Sequence, residues 1–219
     1  MCWNPDISLN TFFFAILVLL FIFLSNTFTK YKSETFHNPL VYLYLLEISF
    51  IQLIEFFLWR NLENKRINEQ LSKLLSLVIS IQPPTLMLMM PNSIWKYTLL
   101  VSYGVLMIFY IVYRQLTNLV HVTTTVGSNG HLIWAGFNIK GYDNPLLFGF
   151  LLFYSLPLFF INNLLLVLFV LVSMLTTLFF YSKHKTFSTM WCWTANIFLL
   201  YFVVDILLVK PFYEYNGLC

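Results

Sequence analysis

Long apolar runs, separated by short polar connectors, form most of the chain. Seven of these runs are predicted to be membrane-spanning helices, because about 20 apolar residues cross the hydrocarbon core of a bilayer. They cover approximately residues 7–25, 39–58, 73–90, 97–113, 146–161, 163–181 and 188–208. The pattern predicts one all-α integral membrane domain over residues 1–219, and its first run is expected to be a retained helix and not a cleaved signal peptide.

The separation of the fifth and sixth runs depends on two polar features. Residues 146–181 are almost unbroken, and they are too long for one crossing at about 1.5 Å per residue. Pro157 and the pair Asn162-Asn163 supply the break that makes two helices. Without that break the count is six, and both chain ends lie on the same side of the membrane.

The composition is that of a protein surrounded by lipid. Hydrophobic residues make up 59% of the chain and charged residues only 10%, whereas soluble domains average about 25% charged residues. The net charge of +3 is spread over the connectors, which argues against nucleic-acid binding. The three cysteines lack zinc-type spacing. We therefore expect the lipid bilayer as a partner and no cofactor.

The longest connector, residues 114–145, has the pattern of a short β-hairpin at about 119–139. Its β-branched segment is followed by turn residues 127–130, and an extended pattern then resumes. A four-residue loop would pair Val126 with His131, and would place His121 and His131 on opposite faces. The two histidines would then not share a metal ion, so no metal site is predicted. A one-residue shift in register would change this.

Basic residues are divided unequally between the two membrane faces if there are seven crossings. We call the face of the N-terminus side A and the opposite face side B. Side B holds four of the 12 lysines and arginines, and side A holds the other eight. By the positive-inside rule, this division favours a cytoplasmic N-terminus.

Tryptophans are divided in the same direction. Only Trp95 is expected on side B, and side A carries Trp3, Trp59, Trp134, Trp191 and Trp193. Tryptophans at a membrane interface are ordinarily anchors. An excess on one side is also typical of an aromatic-lined pocket or lid, and both interpretations stay open.

Few ionisable residues lie inside the predicted spans, and each is a candidate functional residue because charge in a bilayer is costly. They are Glu47 and Glu55 in the second span and Asp205 near the end of the seventh. At 100° per residue, both glutamates share one side of the second span with Gln52 and Trp59, and this stripe is expected to face inward. The opposite side, expected to face lipid, carries Leu45, Leu46, Phe50, Leu53 and Phe57.

A further polar residue, Gln82, lies near the middle of the third span. It precedes Pro83 and Pro84, which are expected to disturb that helix and to free backbone carbonyls. Two interpretations of the buried polar residues remain: a ladder of protonatable or coordinating groups, or a hydrogen-bond network that fixes helix packing. The candidate binding or translocation residues are Glu55, Glu47, Gln52, Gln82, His131, Trp134, Trp59, Trp191 and Asp205.

Several segments, in this order, carry a resemblance to a known family. They are Met1-Cys-Trp3, Gln52-Leu-Ile-Glu55 with Trp59-Arg-Asn61, Gln82-Pro83, and Gly130-His-Leu-Ile-Trp134. The chain resembles an uncharacterised family of small multi-spanning membrane proteins that begin Met-Cys-Trp-Ser, and the likeness covers much of residues 1–140. This chain has Asn4 in place of that serine, and it lacks the family's third-helix histidine. The resemblance supports the candidate residues and implies no activity.

The sequence thus predicts a polytopic membrane protein that translocates or senses an ion, a proton or a small polar solute. Two alternatives stay open: an intramembrane lipid-modifying enzyme with Glu55 or His131 as acid or base, and a structural or interaction protein of a specialised membrane. A continuous polar interior would favour transport, and a pocket open to lipid would favour an enzyme. Substrate, reaction and oligomeric state are not predicted.

Overall fold

A computed structural model of the protein describes residues 4–116, 123–134 and 145–216. The described chain is helical apart from one two-stranded hairpin and the connectors. In chain order its elements are α1 Pro5–Phe28, α2 Pro39–Arg60, α3 Lys65–Met89, α4 Ile94–Leu116, β1 Thr125–Val126, β2 Leu132–Ile133, α5 Pro145–Ser155, α6 Leu164–Tyr181, α7 Phe187–Val204 and α8 Lys210–Tyr215. Short 3₁₀ turns at Glu34–His37, Leu156–Phe160 and Ser182–His184, and a π-helical turn at Asp205–Val209, complete the list.

Six helical segments of the described chain are long and apolar enough to cross a membrane. They are Pro5–Phe28, Pro39–Arg60, Lys65–Met89, Ile94–Leu116, Leu164–His184 and Phe187–Tyr215. The remaining apolar segment, α5 with the 3₁₀ turn that follows it, is shorter. The all-α prediction is therefore confirmed, and the apolar helices are consistent with an integral membrane protein.

Asparagines fix where several of these helices begin. The side-chain oxygen of Asn4 accepts a hydrogen bond from the Ile7 amide at 2.9 Å, and that of Asn163 accepts one from Leu166 at 3.1 Å. Such caps satisfy amides that the first helical turn cannot bond internally. The cap at Asn163 begins α6 immediately after the 3₁₀ turn that contains Pro157, so the break predicted there is present.

Helix α2 lies at the centre of the bundle. It packs against α1, α3 and α7, and α6 packs on the outer side of α7. Helix α4 is peripheral: it contacts α3 and α5, and Tyr103 is its one buried residue. Of the inward stripe predicted for α2, Gln52 and Glu55 are buried, with Glu55 at 0% exposure, and Glu47 and Trp59 are half-buried. The prediction for Leu45 was wrong, because this residue is 1% exposed.

The two prolines of α3 do not interrupt the helix. Helix α3 is continuous from Lys65 to Met89, so the predicted disturbance is absent. The predicted release of a carbonyl is confirmed for Ser80, whose usual partner would be the missing N–H of Pro84. Its oxygen accepts a hydrogen bond from the Tyr103 hydroxyl at 2.8 Å instead. Helix α4 is thereby tied to α3.

The hairpin and α8 lie at opposite ends of the bundle. The hairpin contacts the first turns of α3 and α7. Helix α8 follows the far end of α7, where Glu214 contacts Lys30 at the end of α1. We refer to these as the hairpin end and the α8 end.

Candidate functional site

The hairpin has a register different from the one predicted. Val126 pairs with Leu132, and Thr125 pairs with Ile133. The predicted pairing of Val126 with His131 is wrong by one residue, because the Gly127 amide donates to the His131 carbonyl at 2.7 Å and the loop gains a residue. His121 and the outer parts of the predicted hairpin lie outside the described residues, as does Trp3.

Two glycines allow the tight turn and its close approach to α7. Gly130 has φ +77°, a conformation that residues with a Cβ rarely adopt. A Cβ on Gly127 would lie 3.1 Å from the Thr186 methyl group, just before α7 begins. The loop is therefore seated closely against the start of that helix.

Side chains of α3 hold the incoming strand. Asn68 Oδ1 accepts from the Thr124 amide at 2.8 Å, and Asn68 Nδ2 donates to the Thr124 carbonyl at 3.0 Å. The Ser72 and Thr124 hydroxyls lie 2.8 Å apart. All three residues are buried, so the asparagine side chain pairs with the hairpin backbone as a neighbouring strand would.

Residues near the start of α7 hold the other half of the hairpin. The Thr189 hydroxyl donates to the Leu132 carbonyl at 2.8 Å, and Asn129 Nδ2 donates to the Thr186 hydroxyl at 2.8 Å. Leu132, Thr186 and Thr189 are each 0% exposed. The described hairpin is thus inserted between helices, and we call residues 123–134 the plug.

The plug ends directly above the central carboxyl of the bundle. The indole N–H of Trp134 donates to Glu55 Oε1 at 3.1 Å. Trp134 is 2% exposed, and Glu55 is fully buried. A carboxyl group removed from water needs such donors, because its desolvation is otherwise uncompensated. Two predicted site residues, far apart in sequence, therefore form one buried pair.

Beside this pair lies a small cavity of about 20 Å³. Gln82, Trp134 and Trp191 line it, so it joins three predicted site residues, and Cys192 contributes a thiol. Gln82 is 2% exposed, and its Nε2 has no hydrogen-bond partner among the described residues. The volume is sufficient for about one water molecule.

A pair of tyrosines continues the polar interior from this cavity. The Tyr154 ring lies 4.7 Å from the Trp191 ring, centre to centre, and its hydroxyl is hydrogen-bonded to that of Tyr44. Tyr154 is within electrostatic range of both Cys192 and Glu47. Glu47 Oε1 in turn accepts from the Thr85 hydroxyl at 2.7 Å. We call the series Glu55, Cys192, Tyr154, Tyr44 and Glu47 the polar column.

Gln52, Trp59 and Asp205 lie outside this column. Gln52 Oε1 accepts from the Thr11 hydroxyl at 3.2 Å, which joins α1 to α2. Trp59 is half-buried, and its indole N–H has no partner among the described residues. Asp205 pairs with Lys210 at 3.0 Å at the α8 end, so it is not part of a ladder with Glu55.

The remaining predicted residues have packing contacts. His131 is 3% exposed, and its ring packs edge-on against Tyr181 with centres 5.9 Å apart. Trp191, besides lining the cavity, donates to the Ser173 hydroxyl at 3.0 Å and so links α7 to α6. Within residues 4–116, 123–134 and 145–216, no group of three His, Cys, Asp or Glu side chains could hold a metal ion.

Three members of the column, Tyr44, Tyr154 and Cys192, are not among the candidate residues that the sequence predicts. Tyr154 lies in the segment predicted as the fifth span, where a tyrosine among apolar residues was the one available signal. Cys192 lies between Trp191 and Trp193, which are both predicted to lie at the membrane interface. Neither position could be connected to Glu47 or Glu55 without the packing of α5 and α7 against α2 and α3.

Comparison with known proteins adds no relative to this description. The chain matches no family model, no curated protein and no solved structure.

Proposed function

We propose that this chain is a multi-pass membrane protein that moves or senses a small polar species along the polar column. The observation that supports this most is the fully buried Glu55 carboxyl, which is held by Trp134 of the plug. A carboxyl in a bilayer interior is costly and is ordinarily retained for binding or proton transfer. The plug would control access to it from the hairpin end.

The proposal includes seven crossings, with the N-terminus on the cytoplasmic side. Helix α5 with its 3₁₀ turn rises by about 26 Å, close to the roughly 30 Å hydrocarbon core. Its crossing would place the hairpin and α8 on opposite sides of the membrane. The orientation follows from the excess of basic residues at the hairpin end.

A lipid-handling function is the second candidate. A groove of about 650 Å³ runs along α1 and α2, with apolar residues such as Leu20 at one end and Asn26, Tyr42 and His37 at the other. This gradient suits an acyl chain with its polar headgroup. Glu55 is not among the described residues that line the groove. The groove therefore favours lipid binding more than it favours the lipid-modifying enzyme first considered.

The decisive variant is Glu55→Gln, because an amide keeps the size and hydrogen bonding of the carboxyl but does not titrate. We expect normal folding and loss of flux in proteoliposomes that carry a pH gradient or a gradient of small cations. Glu63→Gln is the matched control, since Glu63 is exposed in the connector between α2 and α3. It should keep full flux.

Two results would count against the column. Normal flux in Glu55→Gln would show that the carboxyl does not titrate during transport. Absence of flux in the unmutated protein under every gradient would leave a hydrogen-bond network that fixes packing, or a lipid-binding protein.

A further inference from the structure

Gln82 is one of the residues that line the cavity, and its side chain is buried. Gln82 Nε2 is buried and has no hydrogen-bond partner in the described part of the chain. Buried amide groups are nearly always bonded to protein or to ordered water, because an unmade hydrogen bond is costly. We therefore expect the Gln82 amide to donate a hydrogen bond to a small acceptor.

The size of the cavity limits what that acceptor can be. About 20 Å³ admits one water molecule and excludes a hydrated metal ion or an organic solute. Its described walls are mostly apolar and aromatic, with Gln82, Ser188 and Cys192 as the smaller polar side chains. A monatomic cation prefers several oxygen ligands, which this lining does not offer.

The sequence places a second hydrogen-bonding group on the same helical turn. Pro83 has no N–H, so it cannot bond the carbonyl of Ile79, four residues earlier. Ile79 itself lines the cavity. Water can donate to such a carbonyl while it accepts from an amide, and neutral water matches this donor and acceptor set better than an anion does.

Residues that contact both halves of the polar column line the cavity. Trp134 lines it and is hydrogen-bonded to Glu55. Trp191 also lines it and contacts the Tyr154 ring. Cys192, a third wall residue, is within electrostatic range of both Glu55 and Tyr154. An occupant would therefore adjoin residues that contact the carboxyl and residues that contact the tyrosine pair.

We propose that this cavity binds one water molecule, hydrogen-bonded to the Gln82 amide, and that this water passes protons between Glu55 and the Tyr154–Tyr44 pair. In one concerted step the water releases a proton to the Glu55 carboxylate and accepts one from the Tyr154 hydroxyl. Tyr154 receives the Tyr44 proton through their hydrogen bond, and the Glu47 carboxyl replaces the proton that Tyr44 gives up. One proton moves, and the water and the amide are unchanged. The second part rests on the proposed function and names the proton as its polar species.

The water itself is tested without any transport measurement, by hydroxyl-radical footprinting with X-rays in proteoliposomes. Radicals generated from a bound water label the side chains beside it, so Cys192 should be labelled although it is 8% exposed. Gln82→Leu removes the amide that holds the water and should reduce this labelling several-fold. Met190, a buried sulfur residue on the same helix that does not line the cavity, should be labelled equally in both proteins.

Two outcomes would overturn the water site. One is a Cys192 that is as protected as fully buried Met87 in the unmutated protein, and the other is equal Cys192 labelling in Gln82→Leu. If Gln82→Leu does not fold, Gln82→Met keeps the length of the side chain and loses the amide, and the same comparison applies.

Flux measurements on the same vesicles test the proton role separately. Gln82→Leu should lower proton flux about tenfold or more, and sodium and potassium fluxes should stay at the level of empty vesicles. Cys192 labelling without proton flux would retain the water site and overturn the proton role together with the proposed transport. Proton flux that is unchanged in Gln82→Leu would retain the transport and overturn the role of the water.

Discussion

The two ends of the bundle are both closed by polar contacts, but the contacts differ in burial and in charge. At the hairpin end, Asn68, Ser72 and Thr124 form neutral hydrogen bonds, and each is at most 2% exposed. At the α8 end, Lys30 pairs with Glu214, and their side chains are 65% and 45% exposed. One end is a buried network, and the other is an ionic contact in a polar environment.

This difference determines how firmly each end is held. A buried hydrogen-bonding group that loses its partner carries the whole cost of desolvation. An exposed ion pair gains little, and salt screens it. The plug should therefore stay seated under most conditions, whereas α8 can move at small cost. The strongest contrast is expected for substitutions that remove the plug's central anchor.

The largest effect is expected for Trp134→Ala. Removal of a buried tryptophan leaves a large void, and here it also takes the indole donor from Glu55. We expect a loss of about 3–5 kcal/mol in the free energy of unfolding, measured by denaturant titration in mixed micelles. Trp95→Ala is the control, because Trp95 is 59% exposed and should change stability by less than about 0.5 kcal/mol. Equal effects of the two substitutions would show that the plug is not a stabilising element.

A smaller effect is expected for Asn68→Ala, which removes the side chain that pairs with the Thr124 backbone. The Thr124 amide keeps the Ser72 hydroxyl, at 3.1 Å, as an acceptor, but its carbonyl loses the Asn68 donor. We expect a loss of about 1–3 kcal/mol, with faster amide hydrogen exchange confined to residues 123–134. Exposed Asn92→Ala is the control and should leave hairpin exchange unchanged. Exchange that rises equally over the whole chain in Asn68→Ala would contradict a local role in holding the plug.

The helices and their buried sides can be predicted from the sequence, because both depend on local periodicity. The 3.6-residue period alone places Glu47, Gln52 and Glu55 on one side of α2, and the structure buries that side except for part of Glu47. Apolar length alone predicts where helices form. These features need no knowledge of which helix neighbours which.

The site depends on contacts that no local pattern contains. Glu55 and Trp134 were both candidates, but their pairing requires the hairpin to insert between α3 and α7. The register was mispredicted because the loop closes through a Gly127 to His131 hydrogen bond, which adds a residue to it. Tyr154 enters the column only through the packing of α5. Contacts between residues that are far apart in the chain bring the site together, and local helix or strand propensity does not predict such contacts.

The geometry of the α8 end also depends on contacts between residues that are far apart in the chain. The π-helical turn at Asp205–Val209 adds a residue to the helix and precedes Lys210, which donates to the Lys32 carbonyl at 2.6 Å. Insertions of this kind are common at functional positions. Lys210 and Glu214 of α8 thus both contact the connector that follows α1, through the Lys32 carbonyl and the Lys30 side chain, and both contacts are exposed.

The smallest effect on stability, with a clear spectroscopic outcome, is expected for Glu214→Gln. The Glu214 carboxylate, through its hydrogen bond and its charge, raises the pKa of Lys30 above the usual 10.5. A raised lysine pKa means that the contact contributes below pH 10.5 and is lost as the pH rises past the raised value. In Glu214→Gln the Lys30 midpoint should fall toward 10.5.

The measurement is ¹³C NMR of labelled lysine side chains, with Lys30→Arg to assign the resonance and the other lysines as internal references. High salt should shrink the difference between the two proteins, because the pair is exposed. An identical Lys30 midpoint in both proteins would mean that the ion pair does not form in solution, and the contrast between the two ends would then rest on the plug alone.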